Sequence, residues 1–286
     1  MIRSRLCRHI IGSIFFLIGT SHLTACTSTL PVSFDGELTV ASFNVESGDA
    51  NPRVIANRHV APVDGVDIWG FSEVQNSSWL DALETGTEVG EGSDFKSILG
   101  TTGGGDRLAI VYSSRLLQPI SYEEIEALSF QGRVRAALVA HFRLRATGEE
   151  FLFMVNHLYR SKEDSRHQQA QLLRQWVATQ TLPVVAVGDY NFDFDVAEGS
   201  QGKRDPGFDI LTQGGAFVWI QPKTLVATIC SDRYNSVLDF IFVANGAIAW
   251  SVESSEILFT DPASSYCPDD DTTSDHRPIV ATFQLP

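Results

Sequence analysis

The chain has 286 residues, of which 43% are hydrophobic, and this composition excludes a globally disordered protein. The formal net charge of −14 argues against a protein that holds nucleic acid tightly through many phosphate contacts. It leaves open a nuclease that neutralises phosphate with a divalent metal, and equally an acidic surface that serves only solubility. No linker or internal repeat interrupts the chain after residue 37, so we expect one large domain over 37–286.

The amino terminus has the pattern of a bacterial export signal. Three arginines within the first eight residues precede an apolar run, 10–19, that is too short to span a membrane. The following Leu-Thr-Ala-Cys resembles a lipobox, so we expect a lipoprotein signal peptide over 1–25 with lipidation of Cys26. An ordinary signal peptide that contains Cys26 by chance is the alternative.

This interpretation predicts where the mature protein lies. Residues 26–36 are rich in Thr, Ser and Pro and are expected to form a flexible tether. Several acyl chains on Cys26 would anchor the protein stably to a membrane. Because Thr27 rather than Asp follows the cysteine, the outer membrane is expected if the host is Gram-negative.

Short apolar runs typical of strands outnumber amphipathic stretches typical of helices in the rest of the chain. In chain order, we predict strands at 37–45, 66–74, 108–112, 136–144, 151–156, 183–188, 236–243 and 279–283. We predict helices at 52–59, from residue 76 or 77 to 83, and at 163–179, and a glycine-rich loop at 86–105. This pattern predicts an α+β fold in which helices cover two sheets.

Polar residues interrupt or follow several of these apolar runs. The last insertion, in the heptad 273–279, places Asp275 beside His276, and such a pair can hold a metal and move a proton. Six insertions of this kind indicate one site at the ends of several strands. Their principal residues are Asn44, Glu73, His157, Asp189 with Asn191, Asp239, and Asp275 with His276.

In their order from Asn44 to Pro278, these motifs resemble those of the endonuclease/exonuclease/phosphatase superfamily. That superfamily includes DNase I-like nucleases, abasic-site endonucleases, neutral sphingomyelinases and inositol polyphosphate 5-phosphatases. The resemblance covers nearly all of the mature chain. It implies a four-layer α/β sandwich, in which two packed mixed sheets are flanked by helices, and metal-dependent hydrolysis of phosphate esters.

Oxygen ligands predict a divalent metal. Glu73 ends an apolar strand, and with Asn44 and Asp275 it forms a set of hard ligands without cysteine. Alone, Glu73 would be interpreted as a surface acid. The resemblance implies that Glu73 is the main metal ligand, with Asn44 and Asp275 nearby. We expect Mg²⁺ first, with Mn²⁺ or Ca²⁺ as alternatives.

Asp189 and Asn191 follow the buried run 183–188 at a spacing that places both side chains on one side of an extended segment. One acceptor to orient water and one amide to hold a phosphoryl oxygen fit the hydrolysis of a phosphate ester. An ordinary Asp/Asn turn is the alternative. The resemblance implies that Asp189 positions or deprotonates the attacking water and that Asn191 binds the phosphate.

His157 and His276 are the two candidate proton carriers, although a lone histidine is more often structural. Asp239 lies within an apolar run, and a buried acid needs a partner. Pairing with His276, whose tautomer it would set, supplies one. The family pairs these positions in the same way, and His157 matches a histidine of its DNase I-like, sphingomyelinase and inositol phosphatase branches.

Two further pairs complete the expected site and its support. Arg107, and Arg135 or alternatively Arg133, could reach a substrate phosphate, and a solvated charge at a strand end is an equal alternative. Cys230 and Cys267 form an even pair in an exported protein, so we expect a disulfide, with two buried thiols as the alternative.

Together these features predict an exported metal-dependent phosphoesterase. A phosphodiesterase or nuclease comes first, because nucleases are common in the family and DNA is available outside cells. A phosphomonoesterase or a phospholipase-type hydrolase, acting on an inositol phosphate or a sphingomyelin-like lipid, is the alternative. A non-catalytic binding module is third, because every motif position is filled. We expect a monomer without a protein partner.

Overall fold

The computed structural model describes residues 34–48, 50–92, 94–261 and 266–286. The expected signal peptide 1–25, the lipidation site Cys26 and most of the tether 26–36 lie outside these residues. Within the described ranges, no helix is both long enough and apolar enough to span a membrane.

The described part of the chain contains twelve strands and four α-helices. The strands are β1 Glu37–Asn44, β2 Ile68–Val74, β3 Phe95–Leu99, β4 Arg107–Ser113, β5 Leu117–Ile125, β6 Ala137–Leu144, β7 Glu150–His157, β8 Val184–Asp195, β9 Val218–Trp219, β10 Ser236–Ala244, β11 Ser251–Ile257 and β12 Ile279–Gln284. The helices are α1 Pro52–Ile55, which continues as a π-helical turn over Ala56–Val60, α2 Ser77–Glu91, α3 Glu163–Val177 and α4 Pro206–Thr212.

The strands form two six-stranded mixed sheets, which confirms the predicted two-sheet α+β sandwich. The first sheet has the order β11-β12-β1-β2-β4-β3 and the second has the order β5-β6-β7-β8-β10-β9. Each contains one parallel pair near its centre, β1 with β2 and β7 with β8. These two pairs bring the ends of β1, β2 and β7 and the middle of β8 to the site.

The two sheets pack closely at β2. A Cβ atom on Gly70 would overlap the side chain of Val187 and lie 2.9 Å from that of Val155, so only glycine fits there. Leu38, Ile68 and other inward-facing residues of the first sheet join the second sheet in one core cluster. The core between the sheets therefore lies directly beneath the strand ends that carry the site.

Helix α2 covers the outer face of the first sheet. The side chain of Asn76 caps it by accepting a hydrogen bond from the Trp79 amide at 3.2 Å, and Gly92 ends it in the left-handed region at φ 58°. Leu83 is fully buried in the cluster beneath the helix, a burial that contributes roughly 2 kcal/mol.

The predicted loop at 86–105 is wrong in part, since α2 extends to Glu91 and β3 occupies Phe95–Leu99. Gly86 and Gly90 are tolerated in the helix because they face another helical segment. A Cβ on them would lie 3.0 Å from the Ala56 carbonyl oxygen and 2.7 Å from that of Ala61.

Strand β8 also differs from the prediction, because it runs past residue 188 to Asp195. Strand β10 pairs with Val184–Asp189 and again with Phe194 and Asp195, with an irregularity between Val237 and Asp239. Asn191 and Asp193 adopt left-handed backbone angles, φ 52° and φ 43°, so regular alternation does not apply there.

Cys230 and Cys267 form the expected disulfide. It lies beside the segment that carries Asp275 and His276, because Ile229 pairs with His276 and the Cys230 amide donates to the Asp275 carbonyl at 2.6 Å. The bond therefore ties a loop of the second sheet to this segment of the site.

Candidate active site

The predicted residues of the site come together at one end of the sandwich. Asn44 ends β1, Glu73 is the penultimate residue of β2, and His157 ends β7. Asp189 and Asp239 lie opposite each other on β8 and β10. The side chains of this group that are almost fully buried are Asn44, His157, Asp189, Asp239 and His276.

Asp189 lies at the centre of the cluster and is 2% exposed. Its Oδ2 is 3.1 Å from Asn44 Nδ2, 3.5 Å from His157 Nε2 and 3.8 Å from His276 Nε2. Burial, together with the charges of Asp239 and Glu73, raises the pKa of Asp189 to about 7 against the opposing charge of His276. One carboxylate oxygen therefore faces two imidazole rings.

His276 is held by Asp239. Its Nδ1 lies 2.8 Å from Asp239 Oδ2, so its Nε2 is the nitrogen that faces Asp189. Burial opposes the charged ring, but Asp239, Asp189 and Asp275 outweigh it and raise the pKa of His276 to about 10. The Ser274 hydroxyl accepts from the His276 amide at 3.0 Å and donates to the Asn44 carbonyl at 2.6 Å, which fixes the segment to β1.

His157 faces a second carboxylate, Asp106, which the sequence analysis did not identify. Its Nδ1 is 3.7 Å from Asp106 Oδ1 and 3.9 Å from Glu73 Oε1, and neither Nδ1 nor Asp106 Oδ1 has a hydrogen-bond partner. Burial, then the charges of Arg135 and His276, lower the pKa of His157 well below its usual value. The histidine is therefore a neutral ring with one nitrogen on each side of the cluster.

The two predicted substrate-binding arginines have other contacts. Arg135 pairs with Asp106, and its Nε donates to the His157 carbonyl at 3.1 Å. Arg107 donates from Nε to the Gly104 carbonyl at 2.8 Å. Arg135 thus braces the His157 side of the site.

Glu73 lies where β2 departs from regular pairing, at φ 65°. Its carboxylate accepts from Asn44 Nδ2 at 3.0 Å, from the Ser47 amide at 2.9 Å and from the Ser47 hydroxyl at 3.0 Å. Burial acts to raise the pKa of Glu73, but these hydrogen bonds outweigh it and lower that pKa.

Glu46 is a second acid that sequence reasoning missed. Its carboxylate accepts from the Asp275 amide at 2.9 Å, and burial with the Asp275 charge raises the pKa of Glu46 to about 7. The available signals were positional: Glu46 follows Asn44 by two residues, and Asp106 lies two residues before the predicted strand 108–112.

The donor set fits a divalent cation. Burial raises the pKa of Glu46, Asp106, Asp189 and Asp275, and in each case a neighbouring carboxylate adds to the rise. Ligand atoms lie within 4.8 Å of one another in two groups, Glu73 with Asp106 and His157, and Asp189 with Asp239 and His276. Crowded carboxylates with unfilled hydrogen-bonding capacity are an environment that a hard cation stabilises.

Asn191 departs from the expected geometry. Its backbone N–H donates to Asp189 Oδ1 at 2.9 Å, and its side-chain Nδ2 donates to the Leu158 carbonyl at 3.2 Å. The left-handed backbone at Asn191 produces this arrangement. Asn191 therefore joins β8 to the loop that follows His157.

The two-sheet fold and the buried cluster of carboxylates and histidines fit a hydrolase of phosphate esters. Residues 41–276 match the model of the endonuclease/exonuclease/phosphatase family, so the chain belongs to that family. No curated protein matches the sequence.

Solved structures show the same fold at low sequence identity. An endonuclease/exonuclease/phosphatase family protein from Bacteroides thetaiotaomicron is 20% identical, with a TM-score of 0.65 over 87% of this chain and 98% of that one. A mannosyl-6-phosphatase from Bacteroides thetaiotaomicron VPI-5482 is 21% identical, with a TM-score of 0.62 over 85% and 98%. TDP2 of D. rerio, complexed with a single-strand DNA product, is 15% identical, with a TM-score of 0.64 over 87% and 99%.

Proposed function

We propose that the protein is an exported, divalent-metal-dependent phosphodiesterase, of the nuclease type, in which Asp189 orients the attacking water. The observation that carries this proposal is the position of Asp189 Oδ2 between His157 Nε2 at 3.5 Å and His276 Nε2 at 3.8 Å. An acceptor that lies between a charged and a neutral imidazole in a buried site fits the proton transfers of phosphate-ester hydrolysis.

The side chains divide the proton movements between them. Asp189 holds the water and accepts its proton as the water oxygen attacks phosphorus in line. The bond from phosphorus to the leaving oxygen breaks, and that oxygen takes a proton from His276 Nε2. Because Asp239 holds Nδ1 of His276 at 2.8 Å, Nε2 is the nitrogen available for this transfer. His157, on the other side of Asp189, stabilises the charge on the phosphoryl group.

The metal would be held by Asn44, Glu73 and Asp275, with Mg²⁺ as the proposed ion and Mn²⁺ or Ca²⁺ as alternatives. When bound, such an ion supplies positive charge that polarises a phosphoryl oxygen. The hydrogen bonds from Asn44 and Ser47 hold the Glu73 carboxylate in place. The Asp275 amide is held in turn by Glu46 at 2.9 Å.

A second candidate function is hydrolysis of a phosphomonoester such as a sugar phosphate. The acidic composition, 35 Asp and Glu against 21 Lys and Arg, favours a small substrate over a long nucleic acid. The similarity to a mannosyl-6-phosphatase supports this candidate, and the similarity to a TDP2 that binds single-strand DNA supports the first. A phospholipase-type activity is tested in the substrate panel below, which includes sphingomyelin.

Export and lipid anchoring through Cys26 belong to the same proposal. The disulfide between Cys230 and Cys267 supports it, because disulfides persist in oxidising compartments outside the cytosol. The proposed state is a membrane-anchored monomer, in the outer membrane if the host is Gram-negative.

A substrate panel with and without EDTA tests the proposal. The panel contains plasmid DNA, bis(p-nitrophenyl) phosphate, sphingomyelin, inositol phosphates and mannose 6-phosphate. We expect turnover of the first two, loss with EDTA and recovery on addition of Mg²⁺. Turnover of the monoesters alone would favour the second candidate, and turnover that EDTA leaves unchanged would contradict the role of the metal.

A further inference from the structure

The loop that leaves the site between β7 and α3 carries an exposed arginine. His157 ends β7, and Arg160 follows three residues later with its side chain open to solvent. The loop begins at the site itself, because the Leu158 amide donates to the Asp189 carbonyl at 2.9 Å. Arg160 is therefore an exposed residue of the loop that begins beside Asp189.

A buried clamp fixes the backbone of this loop. The guanidinium of Arg166, which is 5% exposed, donates from Nη1 to the Tyr159 carbonyl at 2.9 Å and to the Arg160 carbonyl at 2.8 Å. Gln169 Oε1 accepts from the Tyr159 amide at 2.9 Å. The backbone of Tyr159 and Arg160 is thereby held by side chains of α3, and the side chains of these two residues take no part in the contact.

The clamp is itself anchored in the protein. Arg166 Nη2 pairs with the carboxylate of Asp205, which is 6% exposed and caps α4 by accepting from the Gly207 amide at 2.7 Å. His167 Nε2 lies 3.1 Å from the same carboxylate. A buried ion pair with added hydrogen bonds is a rigid support, because breaking it leaves a buried charge unpaired.

The charge of Arg160 reaches the site. It contributes to lowering the pKa of His157, after burial and the charges of Arg135 and His276, and it opposes the rise in the pKa of Asp275 that burial and neighbouring carboxylates produce. Across the described ranges of the chain, the Arg160 guanidinium has no hydrogen-bond or ion-pair partner. It is thus a pre-positioned cation, within electrostatic range of both sides of the site.

Nearby cations on this side of the site are engaged differently. Arg135 is bound to Asp106, and Lys162 lies over the ring of Tyr159 at 5.5 Å from its centroid. A guanidinium open to solvent is suited to bind a phosphate through two parallel hydrogen bonds. The scissile phosphate must lie deeper, against Asp189, so the anion at Arg160 would be a different one.

We propose that Arg160 is a specificity-determining residue that binds a second phosphate of the substrate, next to the scissile one. The inference rests on the proposed phosphoesterase function. Two kinds of substrate carry a phosphate next to the scissile group. One is a nucleic-acid strand, in which the next nucleotide supplies it, and the other is a bisphosphorylated small molecule.

The test compares two substrates that differ only in the second phosphate: the p-nitrophenyl ester of thymidine 5′-phosphate, with and without a 3′-phosphate. Arg160→Ala should lower kcat/KM roughly tenfold for the bisphosphate, the scale of a charge-assisted hydrogen bond. It should leave the single-phosphate ester within about twofold. Arg160→Lys should fall between wild type and Arg160→Ala, because it keeps the charge and loses the fork.

Lys162→Ala is the matched control, because it removes one positive charge from the same loop. It should leave the ratio between the two substrates as in wild type. Equal losses of kcat/KM in Arg160→Ala and Lys162→Ala would show a general electrostatic effect of the loop and overturn the inference. An equal loss of kcat/KM on both substrates in Arg160→Ala would overturn it too.

A second arm separates the two sources of the phosphate. The same variants are compared on inositol 1,4-bisphosphate and inositol 1-phosphate by release of inorganic phosphate. A selective loss confined to the nucleotide pair supports a strand, and one confined to the inositol pair supports a small molecule. No selective loss in either pair overturns the inference.

A binding measurement separates this inference from the proposed function. In an Asp189→Asn background, which suppresses turnover, calorimetry compares thymidine 3′,5′-bisphosphate with thymidine 5′-monophosphate. We expect a preference for the bisphosphate that Arg160→Ala abolishes. If wild type hydrolyses none of the esters, the proposed function fails while this preference can still be observed. Absence of the preference overturns the assignment of Arg160.

Discussion

His59 should make the stability of the protein depend on pH between about 4 and 7. The residue is 7% exposed in the π-helical turn after α1, and its ring lies 4.6 Å from that of Tyr266 and 5.4 Å from that of Phe259 between centroids. Its Nδ1 has no hydrogen-bond partner. Burial, aided by the charge of Arg58, lowers the pKa of His59 from 6.5 to about 4.

The size of the stability change follows from the pKa of His59 in the folded and in the unfolded chain. The unfolded chain, with a His59 pKa near 6.5, binds the proton more tightly than the native state, so protonation favours unfolding. The contribution is fully present above the unfolded pKa and is lost as pH falls toward 4. The shift corresponds to about 3 kcal/mol in full and about 2 kcal/mol by about pH 5.

The assay is urea unfolding of wild type and His59→Phe at about pH 7.5 and about pH 5. Phenylalanine keeps a ring among the neighbouring aromatic residues and cannot titrate. Other acids titrate in both proteins, so the change in the difference between them isolates His59. We expect wild type to lose about 2 kcal/mol more than the variant on acidification. An unchanged difference at the two pH values would refute a buried neutral His59.

Three further changes have outcomes that follow from the structure. Cys230→Ser should lower the free energy of unfolding by about 4 kcal/mol in the chain-entropy model, measured by urea unfolding; an unchanged midpoint would refute the stabilising role of the bond. Gly70→Ala should cost about 1–3 kcal/mol through overlap with Val187, and adding Val187→Ala should recover part of it; no recovery would place the strain elsewhere. Cys26→Ser should release the protein from the membrane fraction, and fractionation like that of wild type would contradict lipid anchoring.

The sequence predicted the strands of the sandwich interior well because their apolar runs are dictated by burial on both faces. The edge strands were missed for the complementary reason. β5 and β11 expose most of their residues and carry polar side chains, so no buried pattern reveals them. Strand β8 was cut short because the acids after residue 188 indicate a turn, whereas renewed pairing with β10 at Phe194 and Asp195 keeps the strand in the sheet.

The residues of the site also divide into those that the local sequence reveals and those that it does not. Polar residues that follow an apolar run, such as Glu73 and Asp189, were predictable because that pattern is visible locally in the sequence. Asp106 was not, because its role depends on His157 and Arg135, which lie far from it in sequence and meet it only in the folded protein. The role of Arg135 could not be predicted for the same reason.

The most direct test of the central claim is the turnover of bis(p-nitrophenyl) phosphate by Asp189→Asn, with urea unfolding of the same sample as the control for folding. The substitution keeps the shape of the side chain and removes the acceptor charge that lies between His157 and His276. We predict a fall in kcat of about 10²- to 10⁴-fold, the scale of losing a general base, in a protein that remains folded. Turnover at the wild-type rate by the folded variant would contradict it.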